Sequence, residues 1–267
     1  MRTVQAGQVQ LQVLERGRGM PVLLVHGFPL DHSMWDAQIE PLAESCHVIA
    51  PDLRGFGGSQ VISGTATMEA MADDLAALLD ALHVKEPVVF CGLSMGGYVA
   101  FQFWRKYAAR LRALVLCDTR AAPDTPEAAA GRLTLVEKVL QTGAECVADA
   151  MLPKLFASDS LQNFPGAIAA QREVILRTAP AGIAAALRGM ATRPDAREYL
   201  SKIALPTRII VGQHDTISIP EEMRGIAEGI RGSEFVVVPQ AGHMTPVENP
   251  AGFNAALKPF LHRLQQS

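Results

Sequence analysis

The chain has 267 residues, enough for one domain with an insertion or for two small domains. Hydrophobic residues make up 49% and charged residues 19%, a balance that can bury a large core. The net charge of −3 argues against a nucleic-acid partner, and no segment approaches the ~20 apolar residues that span a bilayer. The N-terminus lacks the apolar stretch of a signal peptide, so we expect a cytoplasmic protein without a membrane partner.

Strands alternate with helices along most of the chain. Residues 9–16 alternate apolar and polar, the pattern of an edge strand, whereas the apolar run at 21–26 predicts a strand buried on both faces. Further apolar runs predict strands at 47–50, 88–91, 113–117, 208–211 and 235–238. Residues 68–82 predict an amphipathic helix with Thr67 as its N-cap. This alternation implies an α/β fold, with a mostly parallel sheet covered by helices on both sides.

One long stretch interrupts the alternation. Residues 119–205 are alanine-rich, helical in pattern and punctuated by prolines, and they contain no strand-like run. An insertion there would lie above the carboxyl ends of the strands, where ligands bind in open α/β sheets. We therefore interpret 119–205 as a helical cap and 1–118 with 206–267 as the core. A separate helical domain is the alternative, but no linker-like sequence flanks the segment.

The segment Gly92-Leu93-Ser94-Met95-Gly96 follows an apolar run and precedes residues at helical spacing. Strand, sharp turn and helix with a serine at the apex form the nucleophile elbow, in which small neighbours make room for a strained serine. Gly-x-Ser-x-Gly also occurs by chance in a chain with 22 glycines. Its interpretation therefore depends on whether the catalytic partners of the serine are present elsewhere in the chain.

A nucleophilic serine needs a base and an acid that orients the base. His243 follows the last predicted strand beside Gly242, and we predict it as the base. Asp215 follows the preceding strand and is the predicted acid, because the order serine, acid, histidine is that of the elbow architecture. Asp118, which ends the strand at 113–117, is the rival acid.

An oxyanion hole requires two N–H donors. The Met95 N–H at the start of the helix is one candidate, and the Phe28 N–H in the loop after the first buried strand is the other. In that loop, His26 is expected to hold the backbone rather than to take part in chemistry. His32 could approach the site, although nothing in the sequence requires it.

The sequence gives no indication of a cofactor or a metal. The four cysteines form no Cys-x-x-Cys pair, and the glycine-rich segment at 52–59 fits neither the phosphate-loop nor the dinucleotide pattern. We interpret that segment as a turn held by a pairing of Asp52 with Arg54. The acids of the helix at 68–82, including Asp74, are expected on a solvated face.

With these motifs, the chain resembles the α/β-hydrolase family throughout. The residues that carry the resemblance are His26-Gly27-Phe28-Pro29, the segment from Asp52 to Ser59, the segment from Gly92 to Gly97, Asp215 and Gly242-His243. It implies an eight-stranded sheet, a helical cap and a Ser94–Asp215–His243 triad. Within the family, the chain is most similar to enol-lactonases, small carboxylesterases and cofactor-free haloperoxidases, also called perhydrolases.

The expected activity is therefore hydrolysis of small carboxylic esters or lactones through an acyl-enzyme on Ser94. Enol-lactonase or perhydrolase activity with the same triad is the alternative, followed by carbon–carbon bond hydrolysis and by a ligand sensor on this fold. An anionic lactone would require an uncompensated arginine, and Arg120 is the candidate by position. We expect small neutral esters to be better substrates. The sequence leaves the oligomeric state open.

Overall fold

The computed structural model describes residues 1–266, which contain eight strands in a single sheet of order β1-β2-β4-β3-β5-β6-β7-β8. The strands are β1 (Arg2–Ala6), β2 (Val9–Arg16), β3 (Met20–Val25), β4 (Cys46–Pro51), β5 (Val88–Leu93), β6 (Leu111–Cys117), β7 (Thr207–Gly212) and β8 (Glu234–Val238). β2 is antiparallel to both β1 and β4, and all the other pairs are parallel. The predicted α/β class with a mostly parallel eight-stranded sheet is confirmed.

Helices cover this sheet on both sides. All six residues of β5 and all six of β7 are buried, and because side chains alternate along a strand, both faces must be covered. The helices outside the β6–β7 connection are α1 (Asp36–Ala43), α2 (Met68–Ala81), α3 (Met95–Tyr107), α10 (Pro220–Gly229), α11 (Thr245–Glu248) and α12 (Pro250–Gln266). α2 packs on α3, and α1 packs on α12. Within residues 1–266, the helices are either too short or too polar to cross a bilayer.

The structure confirms the predicted N-cap of α2 and contains one strand, β1, that was not predicted. Thr67 caps α2 as predicted, accepting a hydrogen bond from the Ala70 N–H at 3.1 Å. β1 was not predicted, because three of its five residues are exposed and its pattern is mostly polar. It pairs with β2 through a turn at Gly7, whose φ of 60° favours glycine.

Two expectations about charged residues are wrong. Arg54 forms its ion pair with Asp74 rather than with Asp52. Asp74 is consequently buried and does not lie on a solvated face. Asp52 accepts hydrogen bonds from the main chain of His32 at 2.9 Å and of Gly58 at 2.9 Å. The turn at 52–59 is thus held by main-chain donors to Asp52.

The β6–β7 connection contains helices and no strand, as the sequence predicts for 119–205. We call residues 119–206 the helical segment; it contains α4 (Pro126–Thr142), α5 (Glu145–Leu155), α6 (Ser158–Asn163), α7 (Pro165–Arg177), α8 (Pro180–Ala191) and α9 (Arg197–Leu200). α8 packs on α4 and lies against the connection that follows β4, where the Ala66 N–H donates to the Ala185 carbonyl at 3.0 Å. A Cβ added to Gly182 would lie 2.1 Å from the Gly55 carbonyl oxygen, so the two backbones are in direct contact.

Candidate active site

Ser94 lies at the apex of the turn between β5 and α3, with φ 54° and ψ −112°. This left-handed conformation is strained for serine and needs small neighbours. A Cβ added to Gly92 would lie 2.4 Å from the Gly96 carbonyl oxygen, and one added to Gly96 would lie 2.3 Å from the Val25 carbonyl oxygen. The two glycines of the motif are therefore required by backbone contacts, and the turn has the geometry expected of an elbow.

Hydrogen bonds from the end of β6 hold the main chain of Ser94 in place. The Ser94 N–H donates to the Cys117 carbonyl at 2.9 Å, and the Thr119 hydroxyl donates to the Ser94 carbonyl at 2.7 Å. Thr119 was not identified from the sequence, where nothing links it to the serine turn. These bonds offset the strain of the positive φ by fixing both sides of the residue.

His243 and Asp215 are brought together after β8 and β7. The His243 Nδ1 lies 2.8 Å from the Asp215 Oδ2, and the two residues are 1% and 3% exposed. The other carboxylate oxygen of Asp215 accepts hydrogen bonds from the N–H groups of Ile217 at 2.7 Å and Ser218 at 3.0 Å. Because an ionised carboxylate can only accept, the imidazole donates from Nδ1, which leaves its Nε2 as the basic nitrogen.

Asp118, the rival acid, ends up in a different environment. It is fully buried with φ 45°, and its Oδ1 accepts a hydrogen bond from the Gly212 N–H at 2.8 Å. Its Oδ2 has no hydrogen-bond partner within residues 1–266. Burial, reinforced by the negative charge of Asp215, raises the pKa of Asp118 well above its ordinary value. A raised pKa favours the protonated, neutral form of Asp118, and the histidine is bonded to Asp215.

The two predicted oxyanion donors come from the loop after β3 and from the start of α3. A Cβ added to Gly27 would lie 3.3 Å from the Ser94 Cβ, which places the loop after β3 against the elbow. The Phe28 N–H, next in that loop, donates to no other group in the described part of the chain. Met95 is the first residue of α3, so its N–H has no acceptor within the helix.

His26 holds the loop that contains Phe28. Its Nδ1 lies 2.9 Å from the Gly27 carbonyl oxygen, and its Nε2 accepts a hydrogen bond from the Leu53 N–H at 2.9 Å. Burial lowers the pKa of His26, so the ring is neutral with the proton on Nδ1. With both nitrogens engaged by the main chain, His26 has the loop-holding role expected from the sequence.

Asp31, His32 and Asp52 form a cluster beyond this loop, with potential ligand atoms within 4.8 Å of one another. Each already has protein partners. The His32 Nδ1 lies 2.6 Å from the Asp52 Oδ1, while the two oxygens of Asp31 accept from Ser33 and Arg177. Although burial alone would lower it, the hydrogen bond to Asp52 raises the pKa of His32. These bonds account for the cluster without an added ion.

Residues of the helical segment lie beside the candidate acid Asp215. Ser94 is only 9% exposed. Beside Asp215 lies a cavity of about 430 Å³, whose walls combine the α5–α6 region with the loop after β7. Pro153, Phe156 and Leu161 line its apolar part, and His214 and Thr216 lie on its polar part. Glu248, a buried acid beside the His243 loop, was missed because a single acid before Asn-Pro carries no recognisable pattern.

Comparison with known proteins agrees with this architecture. The model of the alpha/beta hydrolase fold family matches residues 20–250. A 3-oxoadipate enol-lactonase of Acinetobacter baylyi is 31% identical over 238 residues, covering 88% of this chain and 86% of that protein. A thermophilic esterase from Thermogutta terrifontis is 48% identical with a TM-score of 0.96, covering 99% of this chain and 98% of the other. The enol-lactonase from Burkholderia xenovorans is 28% identical with a TM-score of 0.92, covering 98% and 100%.

Proposed function

The chain belongs to the α/β-hydrolase family, and from this premise we propose that it is a serine hydrolase of small carboxylic esters or lactones. The observation that carries the proposal is the 2.8 Å hydrogen bond between His243 and Asp215, at the sheet edge where Ser94 occupies a strained elbow. In this proposal, residues 119–205 are a cap over the site, and 1–118 with 206–267 form the core. The substrate is a small molecule, and the cytoplasmic location stays a prediction.

The proposed reaction has two steps. The Ser94 Oγ attacks the acyl carbon while the His243 Nε2 takes its proton, and Asp215 stabilises the imidazolium that forms. The N–H groups of Phe28 and Met95 bind the oxyanion, each contributing about 10²–10³ in rate. His243 then protonates the leaving alkoxide, which departs as the alcohol. Water, deprotonated by His243, releases the acid and restores Ser94.

The charge distribution favours neutral substrates. Arg120, the candidate partner for an anionic lactone, donates from Nε to both carboxylate oxygens of Glu222 at 2.8 and 3.0 Å. The negative charge of Glu222 offsets that of Arg120, which weakens the net attraction for a second carboxylate. We therefore propose short-chain neutral esters as the preferred substrates.

Enol-lactone hydrolysis is the second candidate, because two of the similar proteins carry that name. A comparison of kcat/KM for a neutral ester and an anionic enol-lactone, on wild type and on Arg120→Ala, separates the two. The ester proposal fails if the lactone is preferred and if that preference depends on Arg120. Perhydrolysis would use the same acyl-enzyme, with peroxide in place of water.

The direct test of the serine role uses Ser94→Ala. We expect the variant to fold like wild type and to lose at least about 10⁴-fold in kcat on a chromogenic ester. A serine-directed phosphonate should label wild type once, at Ser94. Repeated turnover by wild type also distinguishes an enzyme from a ligand sensor, which would complete at most one slow cycle. An active Ser94→Ala variant would contradict the mechanism.

A further inference from the structure

Glu248 is a buried carboxylate at the end of α11, five residues after His243 and 6% exposed. A carboxylate in such a place is costly unless donors surround it. Three main-chain N–H groups do so: Oε1 accepts from Gly242 at 2.9 Å and from Met244 at 3.1 Å, and Oε2 accepts from Ala157 at 2.8 Å. All three donors are therefore backbone amides, two from one loop and one from the helical segment.

The two donors to Oε1 are the residues immediately before and after His243. A single oxygen therefore holds the main chain on both sides of the histidine. This fixes the position from which the imidazole reaches Asp215 at 2.8 Å. Displacing a reacting group by about 1 Å can cost about 10²-fold in rate, so a contact that fixes this loop bears directly on turnover.

The donor to Oε2, Ala157, belongs to the helical segment. Ala157 directly follows Phe156, which lines the cavity beside Asp215. The Met244 N–H also donates to the Leu155 carbonyl at 3.0 Å. A Cβ added to Gly242 would lie 2.6 Å from the Ala157 nitrogen, so the two backbones touch. The histidine loop and the wall of the cavity are thus joined at one carboxylate.

We propose that Glu248 is a positioning residue, which holds His243 toward Asp215 and fixes the Phe156 wall to the histidine loop. This inference rests on the proposed role of His243 as the base. Glutamine cannot replace Glu248, because one end of an amide accepts while the other only donates. In Glu248→Gln, either the Ala157 N–H or the Gly242 N–H faces an amide N–H group and loses its acceptor, while Met244 keeps the Leu155 carbonyl.

The test compares Glu248→Gln with the matched control Asn249→Ala. The Asn249 side chain donates to the Pro239 carbonyl at 2.9 Å and accepts from the Gly252 N–H at 2.8 Å, so its removal spares the bonds around His243. Titration with a serine-directed phosphonate counts reactive sites, and steady-state kinetics on a chromogenic ester give kcat per titrated site and KM. We expect Glu248→Gln to lose about 10- to 100-fold in kcat per site with KM within about threefold, and the control to stay near wild type.

A purely structural role gives a different result. It lowers the fraction of sites that can be titrated and leaves kcat per titrated site unchanged, and that outcome overturns the inference. An equal loss of kcat per titrated site in Asn249→Ala also overturns the inference. If Glu248→Gln fails to fold, Glu248→Asp replaces it in the test. Aspartate keeps the charge, but its side chain is one methylene shorter. An unchanged kcat per titrated site in this variant would again overturn the positioning role. Turnover by Ser94→Ala would contradict the proposed function itself. Normal labelling of Ser94, together with Glu248 variants that keep the wild-type kcat per titrated site, contradicts only this inference.

Discussion

The ends of β6 and β7 carry an aspartate each, and the two have opposite properties. Asp215 accepts hydrogen bonds from His243, Ile217 and Ser218, which together satisfy both of its oxygens. Asp118 has one donor, the Gly212 N–H, and an unpartnered second oxygen within the described residues. Two acids in the same kind of position thus differ because the surroundings supply more hydrogen-bond donors to Asp215 than to Asp118.

The largest expected effect of this difference is on turnover. Asp215→Asn removes the carboxylate that holds the imidazole tautomer, and we expect kcat on a chromogenic ester to fall by about 10⁴-fold. Asp118→Asn replaces a neutral acid by a neutral amide of the same shape, whose oxygen can still accept from Gly212. We expect it to lose less than about tenfold.

Steady-state kinetics on the two asparagine variants, with melting temperatures as the control for folding, check this ranking. If Asp118→Asn is the more damaging change while both proteins remain folded, the acid lies at the end of β6 and the comparison is reversed.

A smaller expected effect of Asp118→Asn is on the pH dependence of the free energy of unfolding. Above the ordinary pKa of 3.8, Asp118 loses its proton in the unfolded chain but keeps it in the folded protein, where its pKa is raised. Its contribution to the free energy of unfolding therefore falls as pH rises, by at most about 1.4 kcal/mol per pH unit, until the raised pKa is reached. Asparagine has no such proton. Relative to wild type, Asp118→Asn should thus gain stability as the pH rises above about 4, where the window opens.

Urea denaturation of both proteins across that pH range measures the difference directly. A stability difference that does not change with pH would mean that Asp118 is ionised in the fold, and the contrast with Asp215 would disappear.

The smallest expected effect is on the pH dependence of the free energy of unfolding that His26 contributes. This neutral histidine directly follows β3. Its folded pKa lies below the ordinary 6.5, so on acidification the unfolded chain takes up a proton first. Stability contributed by His26 is complete above about 6.5 and is lost as pH falls toward the lowered pKa, by at most about 1.4 kcal/mol per unit. His26→Asn should therefore be less stable than wild type at pH 7.5, with a gap that narrows by pH 5.5. A gap that widens on acidification would show that His26 is charged in the fold.

Local patterns in the sequence predicted the strand ends but not the contacts between them. β5 and β7 could be predicted because strands buried on both faces are locally apolar, and Thr67 because an N-cap acts within its own helix turn. The predicted pairing of Asp52 with Arg54 is wrong because each finds a partner 20 residues away, His32 and Asp74.

The same limit applies to the candidate site. Ser94, Asp215 and His243 follow strands, so their shared edge of the sheet could be predicted from the order of elements. Glu248 acts through Ala157, 91 residues distant, and Thr119 through the Ser94 carbonyl, 25 residues distant. No local pattern encodes such pairs, because their partners are brought together only by the complete fold.

The central claim is that Ser94 carries the acyl group during turnover, with His243 as its base. Rapid acid quenching during hydrolysis of an activated acetate ester, followed by mass spectrometry of the peptides, tests it most directly. The account predicts one acetyl group on the peptide containing Ser94, formed and lost at rates consistent with kcat, and greatly slowed formation in His243→Ala. Turnover without acetylation of Ser94, or acetylation at another residue that keeps pace with kcat, would contradict it.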